Sequence, residues 1–240
     1  IHSTYLISQA NFVACHCTAY IYKYNMVQDL VPGGTFLFNT PWSVEELDEK
    51  LPGQVKRYIA ENNINFYIID GVKIGKEIGL GNRINTVLQS AFFSLTKLIP
   101  EEEVMKLMKD AATRSYAKKG DDVVKMNHDA IDAGATAYVK VEVPESWKNC
   151  EDTPLGAAIG NQGSQDAIDF VKEIQSKVNG QMGNTIPVSV TKKYEIGQTP
   201  SGTSAFEKRG IAVDVPVWDA TKCIQCNQCS YVCPHAAIRP

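Results

Sequence analysis

Four of the seven cysteines crowd into the last eighteen residues, in the order Cys223-Ile-Gln-Cys226-Asn-Gln-Cys229-Ser-Tyr-Val-Cys233-Pro234. A C-x2-C-x2-C-x3-C-P run suits a tight loop of thiolates wrapped around a [4Fe-4S] cubane, with iron as the metal and Cys223, Cys226, Cys229 and Cys233 as its ligands. The competing chemistries are a zinc knot and a disulfide staple. Zinc sites pair two C-x2-C knuckles across a longer spacer, and neither a second pair nor a suitably placed histidine follows here.

The spacing has a mechanical basis. Two intervening residues let successive thiolates point into one pocket, and the amides between them can donate to cluster sulfurs and set the potential. Pro234 then turns the chain away, and Ile224, Val232 and Ile238 are candidates for a dry wall. In two-cluster ferredoxins the fourth cysteine of such a run ligates the other cluster. Cys233 is therefore expected to serve a second cluster, leaving Cys223, Cys226 and Cys229 on the first. No second run precedes Pro240, and the sequence opens on Ile1 rather than Met, so it reads as an internal piece of a longer polypeptide. Cluster thiolates require a reducing compartment, which predicts free thiols at Cys15, Cys17 and Cys150.

The preceding residues must form the scaffold. Phe12–His16, Thr35–Asn39 and Asn65–Asp70 are short apolar runs. They are separated by a helical pattern over Thr18–Leu30, a Pro32-Gly33-Gly34 turn, and a helix from Ser43 towards Asn62. In that helix Ser43-x-x-Glu46 reads as a capping box and Pro52 as an irregularity. Continuous apolar strands alternating with helices predict an α/β fold: an open, mainly parallel sheet with helices on both faces. Ligands of such sheets gather at the carboxyl ends of the strands, here His16-Cys17, Asn39-Thr40 and Asp70-Gly71.

Helices are expected over Arg83–Leu95, Glu101–Tyr116 and from an Asp121 cap to Asp132, followed by a strand over Ala137–Val143. Proline and glycine break the pattern between Cys150 and Gly163. A helix over Ser164–Val178 and a short strand over Pro187–Val190 then suggest a small α+β unit. The net charge of −3 weighs against a nucleic-acid surface. No apolar stretch approaches the roughly 18–20 residues that span a bilayer.

Other clusters of chemically capable residues carry less. Gly75, Gly79 and Gly81 lack the dinucleotide spacing and read as a bend. Cys15 and Cys17 would share one face of a strand with His16 on the other, which leaves too few local ligands for a metal. His128 and Asp132 stand four apart on a helix, where they could pair or lie on a solvated face.

Taken together, the residues resemble a known family. Glu207-Lys208-Arg209-Gly210-Ile211-Ala212, Val215-Pro216-Val217-Trp218 and the cysteine run resemble the Glu-Lys-Arg domain and first ferredoxin motif of pyruvate:ferredoxin oxidoreductases. Asn11–His16, Gly34–Asn39, Gly81–Thr86 and Val124–Asn127 resemble that family's gamma-type domain. The resemblance covers essentially the whole chain and implies three parts. Residues 1–143 would be a gamma-type domain, 144–216 the Glu-Lys-Arg domain, and 217–240 the start of a ferredoxin-like [4Fe-4S] domain.

The resemblance further implies a parent enzyme that decarboxylates pyruvate on thiamine diphosphate and Mg2+. Such an enzyme passes electrons through [4Fe-4S] clusters to ferredoxin or flavodoxin and gives the acetyl group to coenzyme A. Thiamine sites of this family lie in other domains, so the 240 residues are not expected to decarboxylate by themselves, and catalytic residues are expected elsewhere. Asn39 at a strand end and Arg83 and Asn85 at a helix start are candidates for coenzyme A contacts, since helix N-termini and basic groups suit phosphate. Glu207-Lys208-Arg209 is given a packing or domain-orienting role. A homodimer and a cytoplasmic location are expected, with a hydrogenosome or similar organelle left open. The alternatives are another 2-oxoacid specificity and a stand-alone electron-transfer or coenzyme A-docking subunit.

Overall fold

The structure, a computed structural model, describes residues 7–153, 163–207 and 215–239. Three parallel strands, β1 (Ala10–Cys15), β2 (Leu30–Asn39) and β3 (Asn65–Ile69), are joined by an antiparallel edge strand, β4 (Val139–Lys140), in the order β1-β2-β3-β4. The apolar runs have the expected cause: both faces of the sheet are covered. Phe36, Phe38 and Phe66 fill one face, where Phe36 and Phe66 stack at 5.5 Å, while Leu37 and Ile69 fill the other.

The segment between β1 and β2 departs from the expected helix and turn. Only Thr18–Tyr22 winds, as a 3-10 turn. Ile21 and Val27 are both fully buried in the same cluster. Six residues apart on one straight helix they would lie about 120° from each other, so the chain bends to bury both. Pro32-Gly33-Gly34 is no inter-element turn but lies within β2. Ala10 pairs with Leu30 and Phe12 with Thr35, so β2 bulges between those pairs. The bulge suits proline, which has no N–H for a ladder, and Gly33, at φ 75°.

Two helices return the chain to β3. The Ser43 amide donates to Glu46 Oε2 at 2.8 Å, one half of the anticipated box. The helices are α1 (Leu47–Lys50) and α2 (Gly53–Glu61), split at Pro52, with the preceding Leu51 held extended at ψ 137°. The segment after β4 packs back over them. Trp147 is buried and its Nε1–H donates to Asp48 Oδ1 at 2.7 Å, while Arg57 donates to the Cys150 carbonyl at 2.6 Å and pairs with Asp152. A Cβ on Gly53 would lie 1.7 Å from the Glu151 carbonyl oxygen, so only glycine admits this strap.

The opposite face is covered by α3 (Gly71–Ile78), α4 (Asn85–Thr96) and α6 (Asp121–Thr136), and α5 (Glu101–Tyr116) packs outside α6. Asp121 does not cap α6. It is the first helical residue after Gly120, whose φ of 103° makes the entry turn. A side-chain ladder joins α4 to α6: Thr86 Oγ1 to Asn127 Oδ1 at 3.2 Å, Ser90 Oγ to the Ile131 carbonyl at 2.6 Å, and Ser94 Oγ to the Ala135 carbonyl at 2.9 Å. The strand expected over Ala137–Val143 shrinks to β4: Val139 and Lys140 pair with β3, the Val141 amide adds one bond to the Phe66 carbonyl at 2.9 Å, and Pro144 follows shortly after.

Within 163–207, Ser164 caps α7 (Gln165–Phe170) by accepting from the Ala167 amide, and a π turn over Val171–Gln175 leads into α8 (Ser176–Asn179). The strand expected over Pro187–Val190 is instead helical, α9 (Val188–Thr191). Its β-branched residues favour a strand only where a sheet receives them; Val188 is 84% exposed, and no strand occurs among the described residues of this unit. Lys208 and Arg209 of the charged run, with Gly210–Ala212, lie outside the described residues, as do Pro154, Gly156 and Gly160. No helix among the described residues is long and apolar enough to cross a membrane.

Candidate iron–sulfur site

The cysteine run is delivered by a short turn. Asp219 accepts hydrogen bonds from the Thr221 hydroxyl at 2.6 Å and the Thr221 amide at 3.0 Å, capping a 3-10 turn over Ala220–Lys222. Those bonds hold its carboxyl below the usual carboxylate range. Cys223 follows at once. Gln225 and Asn227 then both take left-handed backbone, each at φ 58°, and reverse the chain between successive cysteines. The next helix, α10 (Gln228–Val232), carries Cys229 in its first turn.

Cys223, Cys226 and Cys229 consequently line one open hollow of about 370 Å3, together with Val217, Trp218 and Ile224. All three cysteines are exposed. Cys233 stands apart, half-buried at the end of α10 and outside the hollow. The backbone amides of Ile238, His235 and Ala237 donate to its sulfur and push its pKa down. As placed, no three His, Cys, Asp or Glu side chains among the described residues converge into a set that could hold an ion. The donor chemistry nonetheless fits an iron–sulfur group: soft thiols, an apolar wall, and one open side. Of the proposed dry wall only Ile224 lines the hollow; Val232 and Ile238 are exposed elsewhere. Trp218 went unnoticed as a lining residue, although an aromatic five positions before the first cysteine was a readable signal.

The strand ends form a second region. Asn39 is buried and its amide is engaged at both ends: Nδ2 donates to the His16 carbonyl at 2.9 Å, and Oδ1 accepts from the Gly71 amide at 2.8 Å. It thereby ties the end of β1 to the start of α3, where Asp70 caps by accepting from the Lys73 amide at 2.9 Å. Asn85 lines a slot of about 510 Å3 between β1 and α4, walled by Phe12, Ile84, Leu88 and Phe92, with His16 at its polar edge. Arg83 is exposed and does not line this slot. Gly79 and Gly81 form the bend after α3, whereas Gly75 lies within that helix, where a Cβ would meet the Gly81 carbonyl oxygen at 2.6 Å.

Cys15 faces the first core cluster and His16 the slot, opposite sides of the strand. Burial pushes the Cys15 thiol from 9.0 up to about 12. The native pKa exceeds the unfolded one, so the protonated thiol contributes stability that is complete below pH 9.0 and lost as pH rises through about 12. In the native chain at about pH 8, iodoacetamide is expected to label Cys17 and spare Cys15, which reacts only in denaturant. Peptide mass spectrometry reads this directly, and equal labelling of both in the native chain would contradict it. His128 and Asp132 do not pair with each other. Each bridges to α5: His128 Nε2 lies 2.9 Å from Thr113 Oγ1, and Asp132 pairs with Lys109 at 2.7 Å.

Comparison with known proteins follows the same order along the chain. The family profile described as pyruvate ferredoxin/flavodoxin oxidoreductase matches residues 1–137, a domain of unknown function matches 160–212, and a 4Fe-4S binding domain matches 215–238. The chain belongs to the pyruvate ferredoxin/flavodoxin oxidoreductase family. Over its full length it is 47% identical to the pyruvate-flavodoxin oxidoreductase of Enterobacter agglomerans and 44% identical to the pyruvate:ferredoxin oxidoreductase of Moorella thermoacetica, covering 20% of each. It is also 40% identical to a pyruvate dehydrogenase [NADP(+)] of Cryptosporidium parvum, covering 13% of that protein. The chain thus spans about a fifth or less of the length of these relatives.

Proposed function

We propose that residues 215–239 form an electron-transfer station in a pyruvate:ferredoxin or pyruvate:flavodoxin oxidoreductase. Cys223, Cys226 and Cys229 hold one [4Fe-4S] cluster, and Cys233 serves a second. The observation that carries this is the shared hollow: three thiols of the run line it and the fourth does not. Bound there, the cluster supplies one-electron transfer. The chain's own part is to hold thiolates on a left-handed loop, present an apolar wall, and position the sulfur of Cys233 with backbone donors.

In this reading the whole enzyme oxidises pyruvate with coenzyme A to acetyl-CoA and carbon dioxide, and the electrons leave singly for ferredoxin or flavodoxin. Thiamine diphosphate and Mg2+ act on domains outside these residues, and the whole protein is a homodimer. The names of the relatives support the substrate and the acceptors. The reducing environment that cluster cysteines need supports a location in the cytoplasm or in a hydrogenosome-like organelle. The division at 143 and 216 belongs to the same reading, as does a coenzyme A contact through Arg83 and Asn85 near the strand ends. Asn39 enters only by tying β1 to α3.

The test is anaerobic reconstitution of the chain with iron and sulfide, followed by metal and acid-labile sulfide counts and low-temperature paramagnetic resonance after reduction. A labile cluster that gains stability when a relative's downstream cysteine-bearing segment is added supports the split-ligand site. A stable cluster held by Cys233 together with the other three would overturn it in favour of a self-sufficient carrier. Bound zinc with no sulfide would remove the iron–sulfur reading.

A further inference from the structure

The chain has three tryptophans, and two have plain structural work. Trp147 is buried with its N–H bonded to Asp48, and Trp42 packs edge-on against Phe38 and Tyr22. Trp218 has neither. It is 73% exposed, and among the described residues no ring or cation contacts it. Yet it lines the hollow shared by Cys223, Cys226 and Cys229, beside Val217 and Ile224, which are also largely exposed. Leaving a large aromatic in water is unrewarded unless something later covers it or is covered by it.

We infer that Trp218 is the water screen of the cluster held by Cys223, Cys226 and Cys229, and through that screening a determinant of its reduction potential. The inference rests on the iron–sulfur reading of this site. Among the levers available to a protein, burial and net charge dominate at an exposed thiolate site. The charges on this hollow largely cancel, because Asp219 and Lys222 both line it and pair at 3.5 Å. The apolar wall is what remains. Reduction adds negative charge to a site already made anionic by its thiolates, and water stabilises the more charged state. An indole that excludes water therefore lowers the potential and shields the cluster sulfurs.

The test uses the full chain, reconstituted as above, with Trp218→Phe and Trp218→Ala. Cluster absorption overlaps indole emission, so loading quenches a nearby tryptophan by energy transfer. Loading the unsubstituted chain is expected to quench a defined share of emission. Trp218→Phe should lose most of that share, with Trp42 and Trp147 still emitting. Trp218→Ala should shift the midpoint potential positive and bleach in air several-fold faster than Trp218→Phe, which keeps an apolar ring. Quenching, potential and bleaching rate all unchanged in loaded variants would overturn the inference and leave the cluster reading standing. If the unsubstituted chain takes up neither iron nor sulfide, both fall together.

Discussion

Cys226→Ala is expected to abolish cluster assembly in the reconstituted chain: brown absorption lost and iron and acid-labile sulfide near background. Cys233→Ala should retain most of the iron bound at the first site. The asymmetry follows from position. Cys226 is the middle thiol of the three that line the hollow, flanked by the left-handed residues Gln225 and Asn227. Removing it leaves two thiols, too few for a thiolate-held cubane. Cys233 sits beyond α10, its sulfur engaged by the amides of Ile238, His235 and Ala237 rather than turned into the hollow. Equal iron loss in the two variants would show that all four cysteines serve one cluster.

The 4Fe-4S binding segment was legible because cysteine spacing is a local property: four cysteines within eleven residues leave the chain few ways to fold. The parallel sheet was legible for a similar reason, since Phe36-Leu37-Phe38 can be continuous and apolar only where both faces are covered. What escaped reading depended on neighbours distant in sequence. Val188–Thr191 has strand composition, but its own unit, residues 163–207, holds no strand among the described residues for it to join, so it winds as a helix. Pro32-Gly33-Gly34 has turn composition, but the pairing of Phe12 with Thr35 absorbs it into a bulge. Asn39 reads as a candidate coenzyme A contact at a strand end. The two backbone groups that occupy it come from positions 23 residues before and 32 after, and no local pattern marks them.

Gly134→Val is expected to be strongly destabilising. A Cβ at Gly134 would lie 2.3 Å from the Val87 carbonyl oxygen and 2.9 Å from Ser90 Cβ. The first obstacle is backbone, so no side-chain rotamer relieves it, and α4 must move off α6. That movement also strains the ladder from Ser90 to Ile131 and from Ser94 to Ala135. Overpacking costs about 1–3 kcal/mol, and each weakened hydrogen bond adds about 1 kcal/mol. A loss of roughly 3 kcal/mol or more is large against a typical total of about 5–15 kcal/mol. Ser94→Ala, which gives up the bond to the Ala135 carbonyl and the one shared with the Tyr138 hydroxyl, should cost about 1–2 kcal/mol. Urea unfolding followed by tryptophan emission should show a clear drop in midpoint for Gly134→Val and a small one for Ser94→Ala. An unchanged midpoint for Gly134→Val would mean that the helices do not approach as closely as described. Because α4 carries Asn85 and Phe92 into the slot beside β1, the same displacement should open that slot. The packing glycine and the slot beside β1 are therefore mechanically coupled through α4.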